Sequence, residues 1–320
     1  MRELALRSVG KRLAAIAGLV ATVGLGWADF ASAQPTWPSG MNCHWYSPGM
    51  AAFETWRGSR FSALHHWMYH DTWANMVRWV REVGSPWLVR IREGRLISVS
   101  VPLLPNESKG QLAQCAAGAF DVHFRRMAQD FVAIGAGDAI IRLGAEANGW
   151  WQAYSINGNY DAYKGCFRRA VQVMRSVAPN LKFEWPMNRE VYANKYQTTA
   201  SRAYPGDDVV DIVGMSYYDM WPAATSEAVW NSSFAPELNF YANFARSRGK
   251  KLGFGEWGLG KRDGGGFDNP FFMRKMFDFF RANASLIAYE TVFNCGPGTE
   301  FRIYPETWNP QAALAYRTLW

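Results

Sequence analysis

A chain of 320 residues, 49% hydrophobic and 19% charged, can bury a large core and is too apolar for global disorder. A net charge of +7 raises nucleic acid as a partner, but no run of Lys or Arg is dense enough to grip phosphates, which excludes that class. Trp, Tyr and Phe make up 16% of the chain, more aromatic surface than a core needs, and this points to faces that stack on flat, partly apolar rings.

In chain order, the first feature is a basic stretch (Arg2, Arg7, Lys11, Arg12) followed by an apolar run over 13–26. Small residues Ala31-Ser32-Ala33 then complete a signal-peptide pattern, so residues 1–33 are expected to be removed on export. The mature part, 34–320, is read as one catalytic domain, secreted or periplasmic, with no later stretch long enough for stable membrane insertion. Strand patterns fall at 41–46, 61–68, 96–103, 139–145, 181–187, 209–218, 251–256 and 286–293. Helical periodicity appears at 72–83, 109–134, 160–177, 226–247, 270–282 and 310–319. Several of the strands are near-continuous apolar runs, as strands buried on both faces are. Eight strands with intervening helices predict an α/β fold, a single (β/α)8 TIM barrel.

Cys43, Cys115, Cys166 and Cys295 are far apart and contain no CxxC pair, so in an oxidising compartment they read as disulfides rather than a zinc or redox site. Strands one and eight close the barrel, and the helices after strands three and four are neighbours. That neighbourhood predicts the pairs Cys43–Cys295 and Cys115–Cys166.

Barrel enzymes carry their chemistry at the C-terminal ends of the strands. Strand four runs into Glu146-Ala147-Asn148-Gly149-Trp150-Trp151, and strand seven ends Gly255-Glu256-Trp257-Gly258. Two carboxylates facing each other beside aromatic platforms suit glycosidic bond cleavage, where one donates a proton and the other attacks the anomeric carbon. Other constellations are weaker. His65, His66 and His70 lack a spaced second ligand group, so no metal and no cofactor is expected. Gly264-Gly265-Gly266 lacks the Lys-Ser/Thr of a phosphate loop and reads as a flexible loop bordering the cleft. Glu184, Glu190 and Glu290 are read as structural carboxylates.

The order of these motifs resembles glycoside hydrolase family 26, a clan A family of retaining (β/α)8 enzymes best known for β-mannanases. The resemblance is carried by Arg142 with Glu146-Ala147-Asn148-Gly149-Trp150, by Trp185-Pro186-Met187-Asn188, by Val210-Asp211-Ile212-Val213-Gly214 with Tyr218, and by Gly255-Glu256-Trp257-Gly258. It implies Glu146 as general acid/base and Glu256 as nucleophile, with Arg142 and Tyr218 holding Glu256 ionised. It further implies that Asn148 and Asn188 hydrogen-bond the sugar, that Trp150, Trp151 and Trp257 wall the site, and that His44 and Asn294 add contacts. Family mannanases usually carry His where Ala145 stands, a His near the end of strand three where Val101-Pro102-Leu103-Leu104 stands, and an Asp at the position of Ser216. The expected partner is therefore a β-linked polysaccharide or oligosaccharide: β-mannan, β-glucan or a bacterial exopolysaccharide. A monomer is expected. A non-catalytic glycan-binding barrel and a biosynthetic transglycosylase are the alternatives.

Overall fold

The computed structural model describes residues 35–42, 48–82, 93–190, 195–261, 263–295 and 300–320. The segment read as a signal peptide, together with Cys43 and His44, lies outside them. Eight parallel strands close into a barrel in sequential order: β1 (Ser39–Asn42), β2 (Ala63–Trp67), β3 (Leu96–Val101), β4 (Ile140–Leu143), β5 (Lys182–Asn188), β6 (Ile212–Tyr218), β7 (Lys251–Gly258) and β8 (Ile287–Phe293). β1 pairs with both β2 and β8, which seals the sheet and leaves no edge.

Helices surround it: α1 (Pro48–Arg57), α2 (Trp73–Glu82), α3 (Leu112–Ala116), α4 (Asp121–Ala133), α5 (Tyr160–Arg175), α6 (Lys195–Ala203), α7 (Glu227–Ser233), α8 (Ala235–Ser247), α9 (Pro270–Ala282) and α10 (Pro310–Leu319). The single helices expected over 109–134 and 226–247 are each two. Gly118 at φ 93° breaks the first pair, and Pro236 restarts the second just after Phe234. Among the described residues no helix is long and apolar enough to cross a membrane.

Period-two alternation divides every strand between two environments. In β3 and β4, Ile97, Val99, Val101, Ile141 and Leu143 belong to the large apolar layer between sheet and helices. Ser98, Ser100 and Arg142 take the opposite phase and face the barrel interior. Ala63, Ile140, Ile212 and Tyr289 form a separate small cluster inside the barrel. Above it the interior is polar. Most of the aromatic excess goes into the outer layer: Trp79, Trp185, Trp257 and Trp320 are fully buried, whereas Trp150, Trp151, Trp221 and Trp308 remain exposed.

The bridge Cys115–Cys166 joins α3 to α5 with Cα atoms 5.0 Å apart, as the barrel neighbourhood predicts. The second expected pair involves Cys43, outside the described residues.

Candidate active site

The polar interior is built around Arg142, which is fully buried on β4. Its Nε donates to Glu184 Oε1 at 3.0 Å and its Nη1 to Glu256 Oε1 at 2.8 Å. Its Nη2 donates to Ser216 Oγ at 2.7 Å, and Ser216 Oγ in turn donates to Glu256 Oε1 at 3.3 Å. Burial alone would lower the pKa of this guanidinium, but Glu256 and Glu184 outweigh it and the net shift is upward. The cation is fixed.

Glycine makes this packing possible at two places. A Cβ on Gly214 would sit 1.9 Å from Glu184 Oε1, and one on Gly255 would sit 2.5 Å from Arg142 Cδ. Glu184 is closed off from below by Tyr289, whose hydroxyl donates to Glu184 Oε2 at 2.5 Å. Tyr289 also meets Ser98 Oγ at 2.7 Å, and His65 bridges Ser98 and Ser100 at 3.0 Å through its two ring nitrogens. Burial, and then the charge of Arg142, hold the His65 pKa well below its ordinary value, so the imidazole is neutral. His65 is therefore a hydrogen-bond link. Among the described residues no group of three or more His, Cys, Asp or Glu is placed to hold a metal.

Glu256 reaches the interior through a bulge. Gly214 pairs with Gly253, but Ser216 pairs with Glu256, so β7 carries one extra residue there. The Glu256 carboxylate is held at both oxygens: Oε1 as above, and Oε2 by the Tyr218 hydroxyl at 2.9 Å. Burial, then the charges of Glu256 and Glu146, keep the Tyr218 pKa well above its ordinary value, so it remains a donor.

Glu146 stands opposite, one turn beyond the end of β4. Gly144 (φ 64°) and Glu146 (φ 58°) both adopt left-handed backbone, and the second is strained for a residue with a Cβ. The Glu146 N–H donates to the Pro186 carbonyl at 3.1 Å, which ties the turn to β5. Burial, followed by the charge of Glu256, pushes the Glu146 carboxyl up to about 7, against the opposing pull of Arg142, Ser216 and Trp151. Both glutamates line one cavity of about 490 Å³ at the C-terminal mouth of the barrel.

Not every expected site residue is there. Trp151 lines the cavity and is half exposed, but Trp150 does not line it and is 81% exposed. Trp257 is fully buried on the outer face of β7, where its indole donates to Glu290 Oε2 at 2.6 Å and stacks on Trp320. Alternation along β7 sends residue 257 away from the cleft, which corrects its expected role as a wall. Asn294 is likewise spent. Its Oδ1 accepts from the N–H groups of Ile303 and Tyr304 at 2.9 Å, and its Nδ2 donates to the Tyr304 carbonyl at 2.8 Å. Asn148 clamps the backbone of Asn188 from both sides, at 2.8 and 2.9 Å, which fixes the loop rather than offering a free amide. Asn188 itself is half-buried at the end of β5. His44 lies outside the described residues.

Other residues do reach the site. Trp67, at the end of β2, lines the cavity and meets Phe293 edge-on, and Phe293 meets Tyr218 in the same way. Glu184, Ser100 and His65 form the support beneath. Their signal was the interior phase they share with Arg142 across paired strands. Gly264, Gly265 and Gly266 do not form the free loop expected. Trp221 N–H donates to the Gly264 carbonyl at 2.8 Å and Gly266 N–H to the Asp219 carbonyl at 3.0 Å, which laces the loops after β6 and β7 together. The Asp219 carboxylate is held by Ala224 N–H and Asn269 Nδ2 at 2.6 and 2.7 Å.

Comparison with known proteins places this geometry. Residues 135–249 match the model of the family described as Glycosyl hydrolase family 26. A curated relative, the mannan endo-1,4-beta-mannosidase of Bifidobacterium adolescentis, is 25% identical over 162 residues. That match covers 48% of this chain and 16% of the relative, so the chain spans about a sixth of the relative's length. Among solved structures, the catalytic domain of an endo-beta-1,4-mannanase from Bacillus sp. JAMB-750 superposes with a TM-score of 0.64 at 19% identity, covering 83% of this chain and 79% of that one. The family 26 domain of an endo-beta-mannanase/endo-beta-glucanase from Prevotella bryantii gives 0.57 at 17% identity, with coverages of 87% and 89%. These structures share the barrel. The matched segment, residues 135–249, holds Arg142, Glu146, Asn188 and Tyr218, so the part of the chain that is similar to glycosyl hydrolase family 26 includes much of this site.

Proposed function

We propose that this protein is a retaining, endo-acting β-glycosidase that cleaves a β-linked polysaccharide by double displacement. One observation carries the reading. A carboxylate gripped at both oxygens by Arg142 and Tyr218 shares a cavity with a second carboxyl that keeps its proton up to about pH 7. The first suits a nucleophile and the second a general acid. Glu256 attacks the anomeric carbon and forms a glycosyl ester as the glycosidic C–O bond breaks. Glu146 gives its proton to the leaving oxygen. Glu146 then takes a proton from water as that water attacks the ester, which frees the sugar and restores both groups. A barrel that only bound glycan would have no use for the buried charge arrangement of Arg142, Glu184 and Glu256.

The polysaccharide belongs to the β-mannan class or a neighbour of it. Ala145, Val101 and Pro102 line the cavity without hydrogen-bonding side chains, which shifts recognition toward Trp67, Trp151, His70, Asn106 and Gln152. Export follows from the 1–33 pattern and suits the Cys115–Cys166 bridge, which persists in oxidising compartments.

The test is product analysis on a panel of β-mannan, β-glucan and bacterial exopolysaccharides, with the first anomer formed read by NMR. Retention, with loss of turnover in Glu256→Gln, supports the reading; initial inversion or undiminished turnover overturns it.

A further inference from the structure

A second cavity, about 240 Å³, lies on the other side of the Glu146 loop. Asn148, Trp150, Asn157, Glu190 and Thr199 line it. The adjacent indoles of Trp150 and Trp151 stand at 83° to one another, with centroids 6.0 Å apart. One faces the central cavity and the other this one. The Trp150 indole, 81% exposed at the cavity rim, offers an aromatic face on which a sugar ring can stack.

The wall opposite is polar and incompletely paired. Glu190 is 8% exposed, and its Oε1 accepts from Thr199 Oγ1 at 3.0 Å and lies 3.5 Å from Lys195 Nζ. Its Oε2 has no hydrogen-bond partner among the described residues. A buried acceptor left open costs stability, and a hydroxyl donor would satisfy it. Asn157 (φ 32°) and Gly158 (φ 86°) turn the rim with strained and left-handed backbone respectively.

We propose that this cavity is a second carbohydrate-binding pocket that takes one neutral hexosyl unit of the glycan, stacked on Trp150, with a ring hydroxyl donating to Glu190. The unit is neutral because Lys195 already balances the carboxylate. Its volume is half that of the central cavity, which suits a single ring. Asn148 lines the pocket while clamping Asn188, so an occupant presses on the loop that presents Glu146. The pocket rests on the reading of this protein as a glycan-cleaving enzyme and extends it to a branch or distal unit.

The experiment uses the full chain carrying Glu256→Gln, titrated with mannohexaose, cellohexaose and laminarihexaose. The Trp150 and Trp151 indole N–H resonances, assigned through Trp150→Phe and Trp151→Phe, are followed by NMR. Both should move with at least one hexasaccharide. Trp150→Ala should raise its Kd on the order of tenfold, the equivalent of one lost stacking contact. Glu190→Gln should weaken binding in the same direction. If Trp151 moves and Trp150 does not, or if Trp150→Ala leaves Kd unchanged, the pocket is refuted while the enzyme reading stands. If neither indole moves with any of the three, both fail.

Discussion

Glu146 should make the folded protein less stable above neutral pH, and Glu146→Gln should relieve the cost. Burial and the charge of Glu256 raise this carboxyl from the ordinary 4.5 to about 7. Between those values the folded state binds more protons than the unfolded chain, so stability falls as pH rises through the window and is flat beyond it. The full difference corresponds to about 3 kcal/mol as a ceiling, from 1.36 kcal/mol per unit over the shift. Gln has the same shape and no charge. At pH 8 the variant should therefore unfold at a higher temperature, by roughly 2 °C for each kcal/mol recovered. At pH 4.5, where the wild-type carboxyl is protonated in the fold, the two proteins should unfold within a degree of each other. Activity should move the opposite way, because the Gln cannot donate its proton. In wild type, kcat/KM on an unactivated glycan should fall about tenfold per pH unit above about 7, and an aryl glycoside with a good leaving group should lack that limb. Scanning calorimetry at the two pH values and a pH–rate series test both halves. A stability gap of equal size at pH 4.5 and pH 8 would refute the coupling between the acid's proton and the fold.

Glu256→Ala should reduce turnover by several orders of magnitude while far-UV circular dichroism stays that of the wild type. Trp257→Phe should cost about 1–3 kcal/mol, by loss of the indole hydrogen bond to Glu290, with KM within twofold, since that ring faces the helices. Trp151→Ala should instead raise KM with little change in melting temperature, as expected for a half-exposed ring lining the cavity. Replacing Cys115 and Cys166 together by Ala should lower stability by up to about 4 kcal/mol, the loop-entropy value for a separation of 51 residues, measured by urea unfolding.

The barrel was legible because its strands are short apolar runs between helical repeats. α1 and α6 were not. The first begins Pro-Gly, and the second, Lys-Tyr-Gln-Thr-Thr-Ala-Ser-Arg-Ala, has too weak an apolar stripe to mark a helix before its neighbours are known. The paired glutamates could be read because strand ends locate them. Their supports could not, because Ser100, Glu184 and His65 acquire meaning only when register aligns them with Arg142. Proximity in sequence misled at Trp257, where alternation should have prevailed over adjacency to Glu256. Short amides misled at Asn148 and Asn294, since an Asn that stands in for a missing backbone partner looks in sequence like one offered to a ligand.

The extra residue in β7 makes the length of that strand part of its chemistry. Gly214 pairs with Gly253 and Ser216 with Glu256, so Gly255 is the insertion that sets the phase of Glu256, Trp257 and Gly258. Were the same residues to pair without the bulge, the phase from Glu256 onward would shift by one. Glu256 would then turn toward the helix layer, an unpaired charge among Phe254, Phe272 and Phe280, and the indole of Trp257 would be driven into the space beside Arg142. Substitutions elsewhere in the barrel wall exchange one shape for another, but straightening the bulge here inverts the end of the strand. During divergence, β7 should therefore accept new side chains at its other positions far more readily than one at Gly255, whose Cβ would meet Arg142.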